Sequence, residues 1–164
     1  MKRVEKRNLI AVLLGLAMPV LAMADSGMSL EQTARLEQVG QIAISPDGNS
    51  IAYTKSVPRR PGVDQDGPAW SELHVADAQG NNRAFISGEV NIRQLGWLPD
   101  GSAMTFVARR GDDEHSALYQ IALGGGEARR LLSVGTGVAN YSLSPDGQQV
   151  AVVSTEPLDA SLQE

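Results

Sequence analysis

One corner occurs three times in this 164-residue chain: Ser45-Pro46-Asp47-Gly48, Leu98-Pro99-Asp100-Gly101 and Ser144-Pro145-Asp146-Gly147. Its composition carries a definite backbone preference. Proline sets φ for the second position of a type I turn, aspartate suits the third and glycine the fourth, and a serine at the first can bond back to the backbone. The aspartates lie 53 positions apart (47 to 100) and then 46 apart (100 to 146), close to the roughly 40–50 residues of one β-propeller blade. The flanks alternate with a period of two, as half-buried strands do. Ile42 and Ile44, Leu95 and Trp97, and Tyr141 and Leu143 precede the three corners. Ile51 and Tyr53, Met104 and Phe106, and Val150 and Val152 take the third and fifth positions after each glycine. Each repeat therefore opens with two antiparallel strands in matched register.

Two further strands follow in the first two repeats. Ser71-Glu72-Leu73-His74-Val75 matches Ser116-Ala117-Leu118-Tyr119-Gln120, and apolar stretches follow at Arg83 to Ser87 and Arg130 to Ser133. They are entered through Gln79-Gly80-Asn81-Asn82 and Gly124-Gly125-Gly126-Glu127, and the extra length of the first repeat falls in Ser56 to Ala69, which reads as an inserted surface loop rich in Pro and Gly. Four strands per repeat is the anatomy of a propeller blade. The expected fold is all-β: a partial propeller of about two and a half four-stranded antiparallel blades. The first blade spans 39–90, the second 91–136, and a partial third 137–164, where two strands are readable and Glu156-Pro157-Leu158-Asp159 reads as the exit toward a third. A blade buries its faces only against neighbours, so the expectation is that these residues belong to a longer product.

The segment before the repeats differs. Lys2, Arg3, Lys6 and Arg7 precede an apolar stretch from Leu9 to Ala22, and Ala22-Met23-Ala24 fits a small-x-small cleavage site. A stretch of about 14 residues containing Pro19 is short of the roughly 20 that span a bilayer, so 1–24 reads as a signal peptide and the product as periplasmic or secreted. In the N-terminal helix segment, 25–38, Ser29 and Gln32 fit a capping box, and Leu30, Ala34 and Leu36 give an apolar side to pack against the propeller.

Cleavage after Ala24 removes four of 14 basic residues and one of 19 acidic ones, leaving 10 against 18, a net charge of −8. Nucleic-acid binding needs a concentrated basic footprint, whereas only the pairs Arg59-Arg60, Arg109-Arg110 and Arg129-Arg130 remain, so nucleic acid is not an expected partner. The chain has no cysteine, which excludes disulfides, thiolate metal sites and a lipidated cysteine; no membrane attachment is expected after signal cleavage.

No residue type and spacing points to chemistry, and no catalytic, cofactor or metal residue is expected. His74 falls in a strand, read as an edge strand, and His115 in the acidic loop Gly111-Asp112-Asp113-Glu114. Asp64-Gln65-Asp66-Gly67 resembles the start of a calcium loop, but the twelfth position is Val75 rather than an acidic ligand. Gly124-Gly125-Gly126 lacks the Lys-Ser/Thr of a phosphate loop and reads as a strand-to-strand turn. Trp70 and Trp97, at period two with apolar neighbours, read as core.

Taken together, Ser29-Leu30-Glu31-Gln32-Thr33-Ala34-Arg35-Leu36, Ile44-Ser45-Pro46-Asp47-Gly48 with Ile51-Ala52-Tyr53-Thr54, Ser71 to Val75, and Gly124 to Leu131 resemble the start of bacterial serine peptidases of the prolyl oligopeptidase family. The likeness is to the acylaminoacyl-peptidase and dipeptidyl-aminopeptidase branch and covers most of the chain after Ala24. The Ser-Pro-Asp-Gly corner is also shared with Tol-system periplasmic propellers. The resemblance implies a propeller that covers a C-terminal α/β-hydrolase domain of the same polypeptide and admits only short peptides. That domain's nucleophile would lie in a G-x-S-x-G elbow, which this chain lacks, so no catalytic residue carries over. The alternative is a stand-alone periplasmic propeller that binds proteins or peptides on its interblade loops.

Overall fold

In the computed structural model, residues 27–29, 32–33 and 35–155 are described. They contain ten strands: β1 (Gln38–Ile44), β2 (Ser50–Val57), β3 (Trp70–Asp77), β4 (Asn82–Ile86), β5 (Arg93–Trp97), β6 (Ala103–Ala108), β7 (Ala117–Ala122), β8 (Arg129–Leu132), β9 (Asn140–Leu143) and β10 (Val150–Val153). These form two four-stranded sheets, β1-β2-β3-β4 and β5-β6-β7-β8, and the β9-β10 hairpin. All strand pairs are antiparallel.

The three corners are geometric copies. The glycine amide donates to the carbonyl three residues back, Gly48 to Ser45, Gly101 to Leu98 and Gly147 to Ser144, each at 2.9 Å. The glycines sit at φ 74°, 72° and 69°, a left-handed conformation that side-chain-bearing residues enter only at a cost. The aspartate then receives the next amides: Asp47 Oδ1 accepts from Asn49 N, Asp100 Oδ1 from Ser102 N and Asp146 Oδ1 from Gln148 N. These bonds hold the three carboxyls below the usual carboxylate range, Asp47 to about 2, where the largest cause is the Ser45 hydroxyl. Leu98 has no hydroxyl, and Ser102 Oγ supplies the missing bond to Asp100 at 2.7 Å. Successive corners also stack, because a Cβ at Gly101 would lie 3.6 Å from Pro46 Cδ and one at Gly147 3.3 Å from Pro99 Cδ.

The period-two pattern decides which face each strand buries. Ala52, Leu73, Val75 and Ile86 of the first sheet pack against Met104, Phe106, Tyr119 and Ile121 of the second, with Leu95 and Trp97 at the margin. On the opposite face of the second sheet, Val107 and Leu118 meet Val138, Tyr141 and Val152 of the hairpin region. Polar ties cross the same gaps: Leu95 N donates to Gln41 Oε1 at 2.8 Å and Trp97 Nε1 to Ala43 O at 3.0 Å. Thr105 Oγ1 and Tyr141 Oη share a bond of 2.6 Å. The stacking of sheets is thus face to face, as in a propeller. Ile42, Ile44 and Ile51, on the first sheet's outward face, are 62%, 65% and 43% exposed.

Several expectations change in detail. The insertion is shorter than 56–69, because β2 runs to Val57 and β3 begins at Trp70. The capping box is present, Ser29 N donating to Gln32 Oε1 and Gln32 N to Ser29 Oγ. Only Gln32 and Thr33 are helical among the described residues, however, and Leu36 is 47% exposed. Leu30, Ala34, the signal segment 1–24 and the exit 156–159 lie outside the described residues.

Candidate functional site

Every connection between β2 and β3, β4 and β5, or β6 and β7 leaves the sheets at the end opposite the Pro-Asp-Gly corners, because the strands alternate in direction. At that end an open cleft of about 800 Å³ lies between the first and second sheets. Its walls come from four places: Trp70 at the start of β3, Ile86 to Asn91 leaving β4, Arg93 opening β5, and Arg109 to Gly111 after β6. A second gap of about 360 Å³, lined by Gln94 to Trp97 and Tyr141 to Pro145, is the seam between β5 and β9 rather than a loop-built site.

The cleft's first wall is assembled by the insertion. Arg59 Nε donates to Pro68 O at 2.7 Å and Nη1 to Gln65 O at 2.8 Å, which folds the loop back on itself. The Arg59 guanidinium lies 3.6 Å from the Trp70 ring centroid, a cation–π contact. Gly67 is needed for this closure, since a Cβ there would fall 2.9 Å from Arg59 Cζ. Asp64, read in the sequence as a false calcium start, accepts from Arg60 N at 2.7 Å and from Arg60 Nη2 at 3.0 Å, closing a plain turn.

The opposite wall is held by one buried carboxylate. Asp113, 8% exposed, accepts from the Tyr119 hydroxyl, from Arg110 N at 3.3 Å and from Arg130 Nη1 at 2.6 Å, and its carbonyl accepts from Arg109 Nε at 2.8 Å. Burial by itself would raise the Asp113 pKa, yet the bonds from Tyr119, the Arg110 amide and Arg130 outweigh it and leave the carboxyl below its ordinary value. Tyr119 is pushed up to about 12, by burial first and then by its bond to that carboxylate. Arg109 and Arg110 are thereby fixed at the cleft. Arg110 Nη2 pairs with Glu127 at 3.2 Å, while its Nη1 is buried and finds no acceptor among the described residues.

The singled-out sequence positions scatter. His74 lies in β3, an interior strand of the first sheet rather than an edge strand, because β4 covers it on one side and β2 on the other. It is 8% exposed, stacks on Tyr53 at 5.6 Å and lies 3.3 Å from Glu72 Oε2. His115 sits in the exposed 111–116 loop, and no histidine lines the cleft. Gly124 to Gly126 form the turn from β7 to β8, with Gly125 and Gly126 at φ 94° and 108°. Trp97 packs on the core as expected, whereas Trp70 is half-buried and lines the cleft. Among the described residues no group of three His, Asp or Glu is placed to hold a metal ion. With arginines, one glutamate and the polar side chains of Gln65, Ser87 and Asn91, the cleft's lining suits ligand binding. Sequence reading missed it because its residues come from three connections, each unremarkable alone; the one available signal was the Arg109-Arg110 pair in a chain otherwise acidic.

No family model matches the chain. It is similar to an uncharacterized peptidase, YuxL, of Bacillus subtilis, 32% identical over 110 residues that make up 66% of this chain and 16% of the relative. It is 25% identical over 160 residues to Dipeptidyl-peptidase 5 of Porphyromonas endodontalis, covering 88% of this chain and 22% of that protein. A TolB homolog of Chlorobium luteolum is 29% identical over 136 residues, 82% of this chain and 28% of the relative. The chain therefore spans less than a third of the length of these curated relatives. Among solved structures, TolB of Agrobacterium tumefaciens superposes with a TM-score of 0.56 at 22% identity, over 74% of this chain and 41% of that one. TolB of Acinetobacter baumannii gives 0.53 at 24%, over 73% and 27%. These likenesses identify the fold as propeller-like.

Proposed function

We propose that this chain is propeller from an exported serine peptidase of the prolyl oligopeptidase family, and that its role is steric gating of short peptides on their way to an α/β-hydrolase domain of the same polypeptide. The observation that carries the reading is the pairing of coverage and name. Two relatives named as peptidases align along the repeats of this chain, yet the aligned parts are only 16% and 22% of their lengths. The two four-stranded sheets and the hairpin are read as two blades and part of a third. Their outward apolar face at Ile42, Ile44 and Ile51 supports further blades, because burying such residues against a neighbouring sheet stabilises each by about 1.5–3 kcal/mol. Gating needs no reactive group here; it needs a ring whose passage is narrower than a folded protein.

The second reading, a stand-alone propeller that binds proteins or peptides, draws on the TolB likeness in sequence and structure. A periplasmic location fits both readings, as does reading residues 1–24 as a signal peptide.

Expression of the whole gene product tests the first reading. A fluorophosphonate probe should label one serine outside residues 25–164, and the protein should cleave short peptides but not a folded protein such as lysozyme. A folded product with no labelled serine and no cleavage of short peptides would remove the peptidase reading and leave the binding module.

A further inference from the structure

The cleft between the first two sheets inverts the charge of the chain around it. Arg93, Arg109 and Arg110 line it against a single acid, Glu89, in a protein that carries 18 acidic and 10 basic residues after position 24. Arg110 is balanced by Glu127, and Arg109 gives only its Nε to a backbone carbonyl. Arg93 is exposed on the first residue of β5, and no acceptor among the described residues holds it. Summing the lining gives two uncompensated guanidinium groups and one carboxylate, a surplus of one positive charge, which matches a monoanion better than a phosphate dianion. The rest of the lining mixes the half-buried Trp70 and the buried Ile86 and Val90 with the polar side chains of Gln65, Ser87 and Asn91. Guanidinium forks match the two oxygens of a carboxylate, and the amide and hydroxyl groups of Gln65, Ser87 and Asn91 suit a small polar body behind it.

We propose that this cleft is a binding site for a small carboxylate, with Arg93 and Arg109 as the charged ligands. Arg110 stands beside them with the buried Nη1 whose hydrogen-bonding capacity is unmet. Asp113 positions the site by holding the Arg110 amide with its carboxylate and the Arg109 side chain with its carbonyl rather than by touching the ligand. A peptide C-terminus and a free organic acid both present this chemistry. The site stands independently of the peptidase reading, since it concerns binding and not turnover.

Calorimetry on the whole gene product tests it with three probes: N-acetyl-dialanine, its C-terminal amide, and acetate. The acid is expected to bind at least tenfold more tightly than the amide. Arg93→Gln, at an exposed position with no partner to lose, should cost the acid at least tenfold, whereas Arg83→Gln, on β4 outside the cleft, should change nothing. Acetate matching N-acetyl-dialanine would assign the site to free acids; acetate much weaker would assign it to peptide ends. Equal binding of acid and amide, or an Arg93→Gln variant with unchanged affinity for the acid, overturns the proposal.

Discussion

Truncating Phe106 to alanine probes the packing of the first sheet on the second. The ring is 0% exposed, lies in the layer between Ala52, Leu73 and Val75 on one side and its own sheet on the other, and stacks on Tyr119 with centroids 5.8 Å apart and planes 13° from parallel. Phe→Ala at a fully buried site costs about 3–5 kcal/mol, combining lost transfer energy with the cavity left behind, and the upper half applies here because the ring pair is lost as well. At about 1.36 kcal/mol per decade, amide protection in β6 and β3 should fall by roughly three to four decades. Hydrogen exchange by mass spectrometry on the whole gene product reads this directly, under conditions where reclosing outpaces exchange. Val153→Ala is the control; it is 59% exposed and a surface change of that kind stays within about 0.5 kcal/mol. Loss of protection in β6 alone, with β3 unchanged, would refute the face-to-face packing of the two sheets.

Three further outcomes are expected. Asp113→Asn removes a buried carboxylate that accepts from Tyr119, Arg110 N and Arg130, and should destabilise the 109–116 loop by roughly 1.5–3 kcal/mol at neutral pH. Because the folded pKa of Asp113 is lowered, its contribution is present above the unfolded carboxyl pKa and fades as pH falls through the folded one; thermal melts between pH 5 and 2 should lose stability more steeply in the wild type than in the variant. Gly147→Ala should cost more than Gly48→Ala, since both share a left-handed φ worth about 1–2 kcal/mol, but only Gly147 would also press a Cβ to 3.3 Å from Pro99, whereas Gly48 has open space; chemical denaturation of the two variants gives the order. Trp97→Phe should lose about 1 kcal/mol, the contribution of the indole bond to Ala43 O, and amide exchange at β1 and β5 should rise together.

Much of this molecule was legible because its determinants are local. Proline, aspartate and glycine in one order fix a corner whatever surrounds it, and alternation on either side fixes which side chains share a face. Those two facts placed the six strands beside the corners and their antiparallel pairing, while the matched segments Ser71 to Val75 and Ser116 to Gln120, with the stretches after them, placed the other four. Residues whose roles depend on distant partners read wrongly or not at all. Trp70 has the same spacing as a core tryptophan, but it borders a cleft because Arg59, eleven residues earlier, covers it. His74 reads as an edge residue although a fourth strand is expected at Arg83 to Ser87; with β4 and β2 on either side and the Tyr53 ring stacked on it, it is interior.

The amino-acid order by itself determined the corners, the strand periodicity, the acidic balance and the need for each sheet to find a neighbour, since these follow from backbone sterics and from counting side chains. Only the tertiary structure decided that Asp113 is a buried anchor, that Arg93 and Arg109 meet over one cleft, and which isoleucines stay uncovered. Those outcomes depend on which connections leave the same end of the stacked sheets, and that proximity is a property of the packing, not of any short stretch of chain.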